Sequence, residues 1–384
     1  MSANFAQSVS AGLLAAVALL LAATAPIPAA GQGAEASLIP AILTSNEQKR
    51  KVYLVGREDD VIRYKDKKDA PAVVGVPVER LQDIYVYLEY DRGKVFSAAQ
   101  KGEWREAVQV LLPVIKPHLP YLDIPGHEAV EVALRAGTHL FHEGMTVSEL
   151  ALETDKRQEA ARYFQAARHI FRSCQTAAWW SGVEDAQYRV LLCTILLEEL
   201  EEADEQLEMM GVPPATERGA GTYWLAVAYR RYIADDMRGA AKAATRSLLF
   251  ENKDLSTFPY ALFLNGRCLE HLEDWFRARD AHFEVGRLFH HLPPGAAGTR
   301  RLVALIESGR VDDREQLAAR SIFFQGKDDI RERIQAFLDM TGHSITYQVP
   351  GDEDEDEKDE EASASSTEDD AADNESEKPE EQAP

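Results

Sequence analysis

The segment LNGRCLEHLEDWFRARDAHF, from Leu264 to Phe283, is compatible with two different structures. A zinc site is suggested by a Cys-x2-His-x10-His order, formed by Cys268, His271 and His282. Gly266 and Ala278 are instead typical of two helices in close contact, because helix backbones approach each other only where side chains are small. The correct choice decides whether the protein is a metalloprotein or a helical scaffold.

Repetition along the chain favours the helices. From about residue 91 to residue 340, hydrophobic residues recur with the 3.6-residue period of an α-helix. Five alanines mark the predicted start of the second helix in successive helical pairs, namely Ala107, Ala160, Ala203, Ala240 and Ala278. The last two spacings, 37 and 38 residues, are close to one helix-turn-helix repeat, whereas the earlier spacings of 53 and 43 allow insertions. Trp104, Phe164 and Ala167 are predicted to pack beside these alanines.

The two best-formed units lie between Thr222 and Pro294. In the first unit, Trp224, Ala228 and Ala240 occupy the positions that Leu262, Gly266 and Ala278 occupy in the second. On these residues the chain resembles the tetratricopeptide repeat family. The resemblance implies a mainly α fold, an α-solenoid of helical hairpins over residues 91–345, although its register between residues 91 and 221 is degenerate.

The same resemblance implies a binding surface. In that family the first helix of each pair lines a concave groove that holds a segment of a partner protein. Carried over by register, the groove residues of this chain are Tyr229, Tyr232, Tyr260, Phe263, Arg267, Glu270 and His271. Their aromatic and hydrogen-bonding side chains suit a protein interface, whereas ordinary burial in a helical core is the alternative.

Neither histidine cluster of the sequence fits a metal site well. The repeat register turns Cys268 and His282 towards the core and His271 towards the groove, whereas zinc ligands must converge about 2 Å from one point. His139 and His142 are three residues apart and Glu143 follows both, unlike the His-Glu-x-x-His order of a catalytic zinc helix. We therefore predict no metal and no cofactor, and motif searches identify no catalytic residues.

Residues 51–90 have the composition of a small β module that precedes the helices. Short runs of β-branched and aromatic residues alternate there with turn-forming residues. Its cations make it the most basic part of the chain, and they are Lys49, Arg50, Lys51, Lys65, Lys67 and Lys68. They either contact an anionic polymer or lipid headgroups, or protect strand edges against aggregation.

The two ends of the 384-residue chain differ in composition from its middle. Residues 1–30 contain an apolar run that ends in small residues and prolines, which predicts a signal peptide and export, followed by a linker over residues 31–50. Residues 346–384 are predicted to be a disordered acidic tail, because residues 351–384 hold seventeen Asp or Glu against two Lys. Such acidity argues against binding of nucleic acid.

The chain has three cysteines, which cannot all pair with one another. A bridge between Cys174 and Cys193 is compatible with export. The alternative is that all three are small buried hydrophobic residues, since each lies within a helical apolar pattern.

Together these features predict a non-enzymatic protein-protein interaction scaffold of the bacterial cell envelope, located in the periplasm or at the outer-membrane periphery. One alternative is a protein that binds cell-wall glycan or a small ligand by stacking on Tyr229, Tyr232, Tyr260 and Trp180. A second alternative is a metal-dependent enzyme built around His139, His142 and Glu143. The identity of the partner and the oligomeric state are not encoded in any motif of the sequence.

Overall fold

A computed structural model describes residues 38–250, 254–311 and 327–343. The predicted signal peptide and the predicted acidic tail lie outside the described residues. Within them, the protein is mainly helical and begins with a small antiparallel sheet, which confirms the predicted fold class.

The sheet has five strands in the order β4-β3-β2-β1-β5. They are β1 (Ile39–Ser45), β2 (Gln48–Glu58), β3 (Val61–Lys65), β4 (Val74–Pro77) and β5 (Asp83–Val86). Side chains alternate between two faces, and the inner face buries residues such as Leu43, Leu54 and Ile84. Tyr121 and Ile124, which follow the second helix, complete this small core.

The sheet begins earlier than predicted. Residues 39–45 form β1, and β2 begins at Gln48, although residues 31–50 were predicted to be a linker. The prediction is wrong there because Pro40 interrupts the strand pattern, and proline is disfavoured within sheets. Pro40 lies beyond the residues of β1 that pair with β5, which run from Ala41 to Thr44.

Twelve α-helices follow in the described part of the chain. They are α1 (Arg92–Gln100), α2 (Trp104–Ile115), α3 (Ala129–Val147), α4 (Thr154–Gln175), α5 (Val183–Leu196), α6 (Leu200–Met210), α7 (Ala220–Ile233), α8 (Met237–Phe250), α9 (Phe258–His271), α10 (Trp275–Leu288), α11 (Pro293–Glu307) and α12 (Lys327–Met340). Each helix from α1 to α5 packs against the next one along the chain, and so do α7 to α10.

Four of the helical pairs share one turn geometry. The pairs α1–α2, α5–α6, α7–α8 and α9–α10 each have one turn residue with a left-handed backbone, with φ of 72°, 61°, 61° and 60° at Gly102, Glu198, Asp235 and Glu273. The backbone N–H of the following acidic residue donates to the carbonyl five residues earlier, for example Asp274 to Leu269 at 2.9 Å. This bond caps the end of the first helix.

The predicted packing residues lie in the helical core. In each of the four pairs, one of the predicted alanines follows the left-handed turn residue by five positions, as Ala240 follows Asp235. All of the residues predicted to pack between helices are buried, namely Trp104, Ala107, Ala160, Phe164, Ala167, Ala203, Trp224, Ala228, Ala240, Gly266 and Ala278. The alanine spacing therefore identifies contacts between helices.

The pair α3–α4 is built differently. Its helices are joined through a short 3-10 segment, Glu149–Ala151, in which Leu150 has a φ of 73°. Gly137 and Gly144 of α3 lie directly against Phe171 and Phe164 of α4, because a Cβ on either glycine would be within 2.6 Å of the facing ring. Two glycines on one face of α3 thus allow the closest approach between these long helices.

Candidate binding cleft

Two tyrosines predicted to line an open groove are buried instead. Tyr229 of α7 and Tyr260 of α9 have no exposed surface. The Tyr229 hydroxyl donates to the carbonyl of Leu150 at 3.1 Å, and the Tyr260 hydroxyl lies 2.7 Å from Nδ1 of His142. The groove prediction is wrong for both, because the region of α3 and its following turn fills the space that the first helices face.

Glu270 and Phe263 are also buried, so the groove prediction is wrong for them as well. Glu270 is 2.6 Å from Nε2 of His282 and accepts hydrogen bonds from Arg267 at 2.9 Å and from Arg301. Burial alone would raise the pKa of Glu270, but these donors lower it to about 2. The ring of Phe263 packs against the ring of His282 at a centroid distance of 5.4 Å.

Three predicted groove residues keep some exposure. Arg267 and Tyr232 are half-buried and His271 is exposed. The Tyr232 and His271 rings meet edge to face with centroids 5.9 Å apart, and the Tyr232 hydroxyl is 3.4 Å from Nε2 of His271. What remains of the predicted groove is therefore a small polar patch.

The residues named for the two alternatives have other partners. Among the proposed glycan platforms, Tyr229, Tyr260 and Trp180 are buried, and Trp180 donates to Glu131 at 2.7 Å. They offer no open ring face for a sugar. Trp179, its neighbour, is 37% exposed.

The histidines and cysteines are likewise dispersed. Glu143 accepts two hydrogen bonds from Arg105, at 2.7 and 3.1 Å, rather than turning towards His142. Cys268 and His282 are buried while His271 is exposed, as the repeat register predicts. Within residues 38–250, 254–311 and 327–343, no group of three His, Cys, Asp or Glu side chains is placed to hold a metal ion. Cys174, Cys193 and Cys268 are free and buried.

A cleft of about 370 Å³ lies between the first three helices and two later loops. We call it the His139 cleft. Its first wall comes from Phe96 and Gln100 of α1, Trp104 of α2 and Leu134 of α3. Its second wall is formed by Arg189 of α5, by the loop residues Asp254, Leu255 and Ser256, and by His291 and Leu292 before α11. The cleft thus joins parts of the chain that are far apart in sequence.

Aromatic side chains form the inner end of the cleft. The Trp104 ring stacks on His139 at a centroid distance of 5.7 Å and contacts His142 at 4.5 Å. On its other side, His142 stacks on Tyr260 at 5.6 Å and shares a hydrogen bond with the Tyr260 hydroxyl. Burial lowers the pKa of His142 to about 3, so this ring is neutral at neutral pH.

The second wall is held by a buried ion-pair network. Arg189 donates to Asp185 on its own helix at 3.1 Å, to Ser256 at 2.7 Å and to Asp254 at 2.8 Å. Burial would raise the pKa of Asp254, but the charge of Arg189 and hydrogen bonds from Ser256 and Thr257 lower it. Asp254 is therefore ionised at neutral pH and anchors the loop to α5.

His139 is a buried polar group of the cleft that has no hydrogen-bond partner. Its side chain is 8% exposed, and neither Nδ1 nor Nε2 forms a hydrogen bond. Burial, with a contribution from Arg135, lowers the pKa of His139 to about 4, so the ring is neutral at pH 7. A neutral imidazole donates one hydrogen bond and accepts another. A buried polar group without a partner costs about 1–3 kcal/mol, which a bound ligand can recover.

Two large apolar side chains of the cleft remain exposed to solvent. Phe96 is 65% exposed on one side and Leu255 is 52% exposed on the other. Large apolar side chains that remain exposed around a concave site are typical of a surface that binds another molecule. The cleft can therefore bury an apolar group beside polar side chains.

Sequence reasoning singled out His139 and His142 only as part of the metal-dependent alternative. It could not place Trp104, Tyr260 or Arg189 beside them, because these residues come from three other helices. The signal that was present is the three-residue spacing of the histidines, which puts both on one face of α3.

No family model, curated protein or solved structure matches this chain. The site is therefore interpreted from its own geometry. None of the helices in the described part of the chain combines the length and apolarity needed to cross a bilayer.

Proposed function

We propose that this protein is a non-enzymatic interaction protein that binds a segment of a partner protein in the His139 cleft. The observation that carries the proposal is His139, a buried neutral imidazole without a hydrogen-bond partner inside an apolar cleft. The binding surface differs from the predicted groove, because the inner faces of α7 and α9 are occupied by the region around α3.

The size of the cleft supports a side chain as its occupant. Ligand pockets usually measure about 300–1,000 Å³, and this cleft is near the lower limit. It accommodates one aromatic or branched apolar side chain together with the backbone next to it. A backbone N–H or carbonyl of that segment would pair with His139, while Phe96 and Leu255 cover the apolar part.

The scaffold function rests on the proposal that the helical pairs are tetratricopeptide-like repeats arranged as a solenoid. The recurring left-handed turn residue and the alanine five positions later support it. Repeats of this kind hold a binding surface rigidly, so little ordering cost accompanies binding. The apolar N-terminal run supports export to the bacterial envelope as a further part of the proposal.

Selection of peptides from a random library on the full-length protein tests the proposal. We expect the selected peptides to share one large apolar residue, and to bind with affinities measurable by calorimetry. His139→Phe, which keeps a ring of similar size but removes both nitrogens, and His139→Ala should each weaken binding roughly tenfold, the effect of about 1.4 kcal/mol. Circular dichroism establishes that each variant is folded.

A matched double variant, Tyr232→Ala with His271→Ala, removes what remains of the predicted groove. It should bind the selected peptides as the wild type does. Loss of binding in this variant, with binding retained in His139→Phe, would reject the cleft as the site. Saturable binding of cell-wall fragments to the cleft, with no peptide selected, would favour the small-ligand alternative instead.

A further inference from the structure

The outer face of the sheet carries tyrosines and lysines in register. Tyr85 of β5, Ile42 of β1 and Lys51 of β2 are direct neighbours across the three strands. A shallow cavity of about 510 Å³ lies on this face, which is opposite to the face that packs against Tyr121 and Ile124. We call it the tyrosine-lysine face.

A second row extends the same pattern. Pro40, Tyr53 and Lys65 are neighbours across β1, β2 and β3. Tyr85 and Tyr87 are 43% and 71% exposed, which is unusual for large side chains on a sheet that is otherwise well packed. The face therefore presents substantial apolar surface to whatever covers it.

The charge of the face is positive. It carries five lysines, namely Lys49, Lys51, Lys65, Lys67 and Lys68, against the three aspartates Asp66, Asp69 and Asp83. None of the five lysines forms an ion pair within the described residues, and the hydroxyls of Tyr53, Tyr85 and Tyr87 form no hydrogen bond there. The five ammonium groups and the three phenol hydroxyls can donate hydrogen bonds and outnumber the three carboxylates, so a ligand rich in carboxylates fits the face best.

The chain itself contains such a ligand. Residues 351–384 hold seventeen acidic residues against two lysines. They begin eight residues after His343, the last described position, and an extended chain spans about 3.3 Å per residue. The segment is thus long enough to cross a domain whose radius of gyration is roughly 19 Å.

We propose that the acidic segment 351–384 docks on the tyrosine-lysine face of its own chain. Attachment to the same chain gives the segment an effective concentration of about millimolar, so weak contacts between carboxylates and lysines suffice. Any external anionic ligand of this face must then displace the segment. This inference is independent of the His139 cleft, which is formed by other residues.

Carbodiimide crosslinking of the full-length protein tests the inference, because it joins only carboxylates and amines that are in contact. We expect mass spectrometry to find crosslinks from residues 351–384 concentrated on Lys51, Lys65, Lys67 and Lys68. Exposed lysines of the helical domain, Lys94 and Lys242, serve as controls and should give severalfold lower yields. Crosslinking should fall in 1 M salt, where the screening length shrinks from about 10 Å to about 3 Å.

The double variant Lys51→Gln with Lys65→Gln should also reduce crosslinking at Lys67 and Lys68. Equal yields at the face and at Lys94 and Lys242 would overturn the proposal. A mixture of isotopically light and heavy protein distinguishes contact within one chain from contact between two copies. Crosslinks between light and heavy peptides would show that the acidic segment of a second copy, instead of that of the same chain, lies on the face.

Discussion

At the scale of single residues, Gly266 sets the packing around Glu270 and His282. A Cβ added at Gly266 would be 2.8 Å from Cε1 of the His282 ring. That ring is fully buried and shares a hydrogen bond with Glu270. Glu270 also accepts hydrogen bonds from Arg267 and Arg301. The first-helix glycine therefore makes room for a buried polar network rather than for a metal ion.

Gly266→Ala should destabilise the protein, because the new methyl group displaces His282 from Glu270. We expect the free energy of unfolding to fall by about 2 kcal/mol, the sum of local overpacking and a weakened buried hydrogen bond. Urea denaturation measures this change. Gly56→Ala is the matched control, since a Cβ there meets no atom within 4 Å. Equal effects of the two substitutions would contradict the packing role of Gly266.

At the scale of elements, the helical hairpins depend on one backbone conformation. In four pairs, one residue of the turn after the first helix has a left-handed backbone conformation. This residue is a glycine only in the first pair, at Gly102. Left-handed backbone costs a residue with a side chain about 1 kcal/mol relative to glycine. The hairpins containing Asp235 and Glu273 thus retain a local cost that glycine would remove.

Asp235→Gly and Glu273→Gly should each stabilise the protein by about 0.5–1 kcal/mol, because glycine adopts the left-handed turn freely. Gly102→Ala should have the opposite effect, of about 1 kcal/mol or more. Thermal unfolding followed by circular dichroism measures all three. Glu205→Gly, at an exposed position inside α6, is the control and should destabilise by about 1 kcal/mol. Destabilisation by both turn variants would contradict this account.

At the scale of the whole molecule, α3 is the helix around which distant parts of the chain gather. It contacts α2, α4 and α11, and its Phe141 and His142 pack against Tyr260 of α9. Several buried histidines are uncharged, and two of them, His139 and His142, belong to α3. His118 and His127, two further buried rings, are 5.3 Å apart after α2.

Acid should destabilise the protein well above the range in which carboxylates titrate. Burial lowers the pKa of His118 and His139 to about 4 and that of His127 and His142 to about 3. Unfolded histidines titrate near pH 6.5, so the unfolded chain binds more protons as pH falls below that value. Stability should therefore drop from about pH 6.5 towards pH 4, by up to about 1.4 kcal/mol per pH unit for each histidine.

Urea denaturation between pH 7.5 and pH 5 checks this dependence. In His118→Phe, the slope of the free energy of unfolding against pH should decrease by at most about 1.4 kcal/mol per pH unit, because one protonation site is removed. A free energy of unfolding that stays constant over this range in the wild type would show that these rings are protonated within the fold.

Local patterns sufficed for part of the candidate site and failed for the rest. The three-residue spacing placed His139 and His142 on one helix face, but the Trp104 and Tyr260 rings that enclose His142 come from 38 residues before it and 118 residues after it. Such contacts depend on how helices that are distant in sequence are arranged in space. No periodicity in the sequence records that arrangement.

The sequence by itself determined the mainly helical class, the preceding strands and the alanines that mark helix contacts, because period, propensity and side-chain size act over a few residues. Tertiary structure alone decided that Tyr229 and Tyr260 meet the region of α3 instead of solvent. It also decided that His139 lies in an apolar cleft without a hydrogen-bond partner. The physical reason is that burial depends on which distant surfaces meet, and a local repeat pattern specifies only the face that each helix offers.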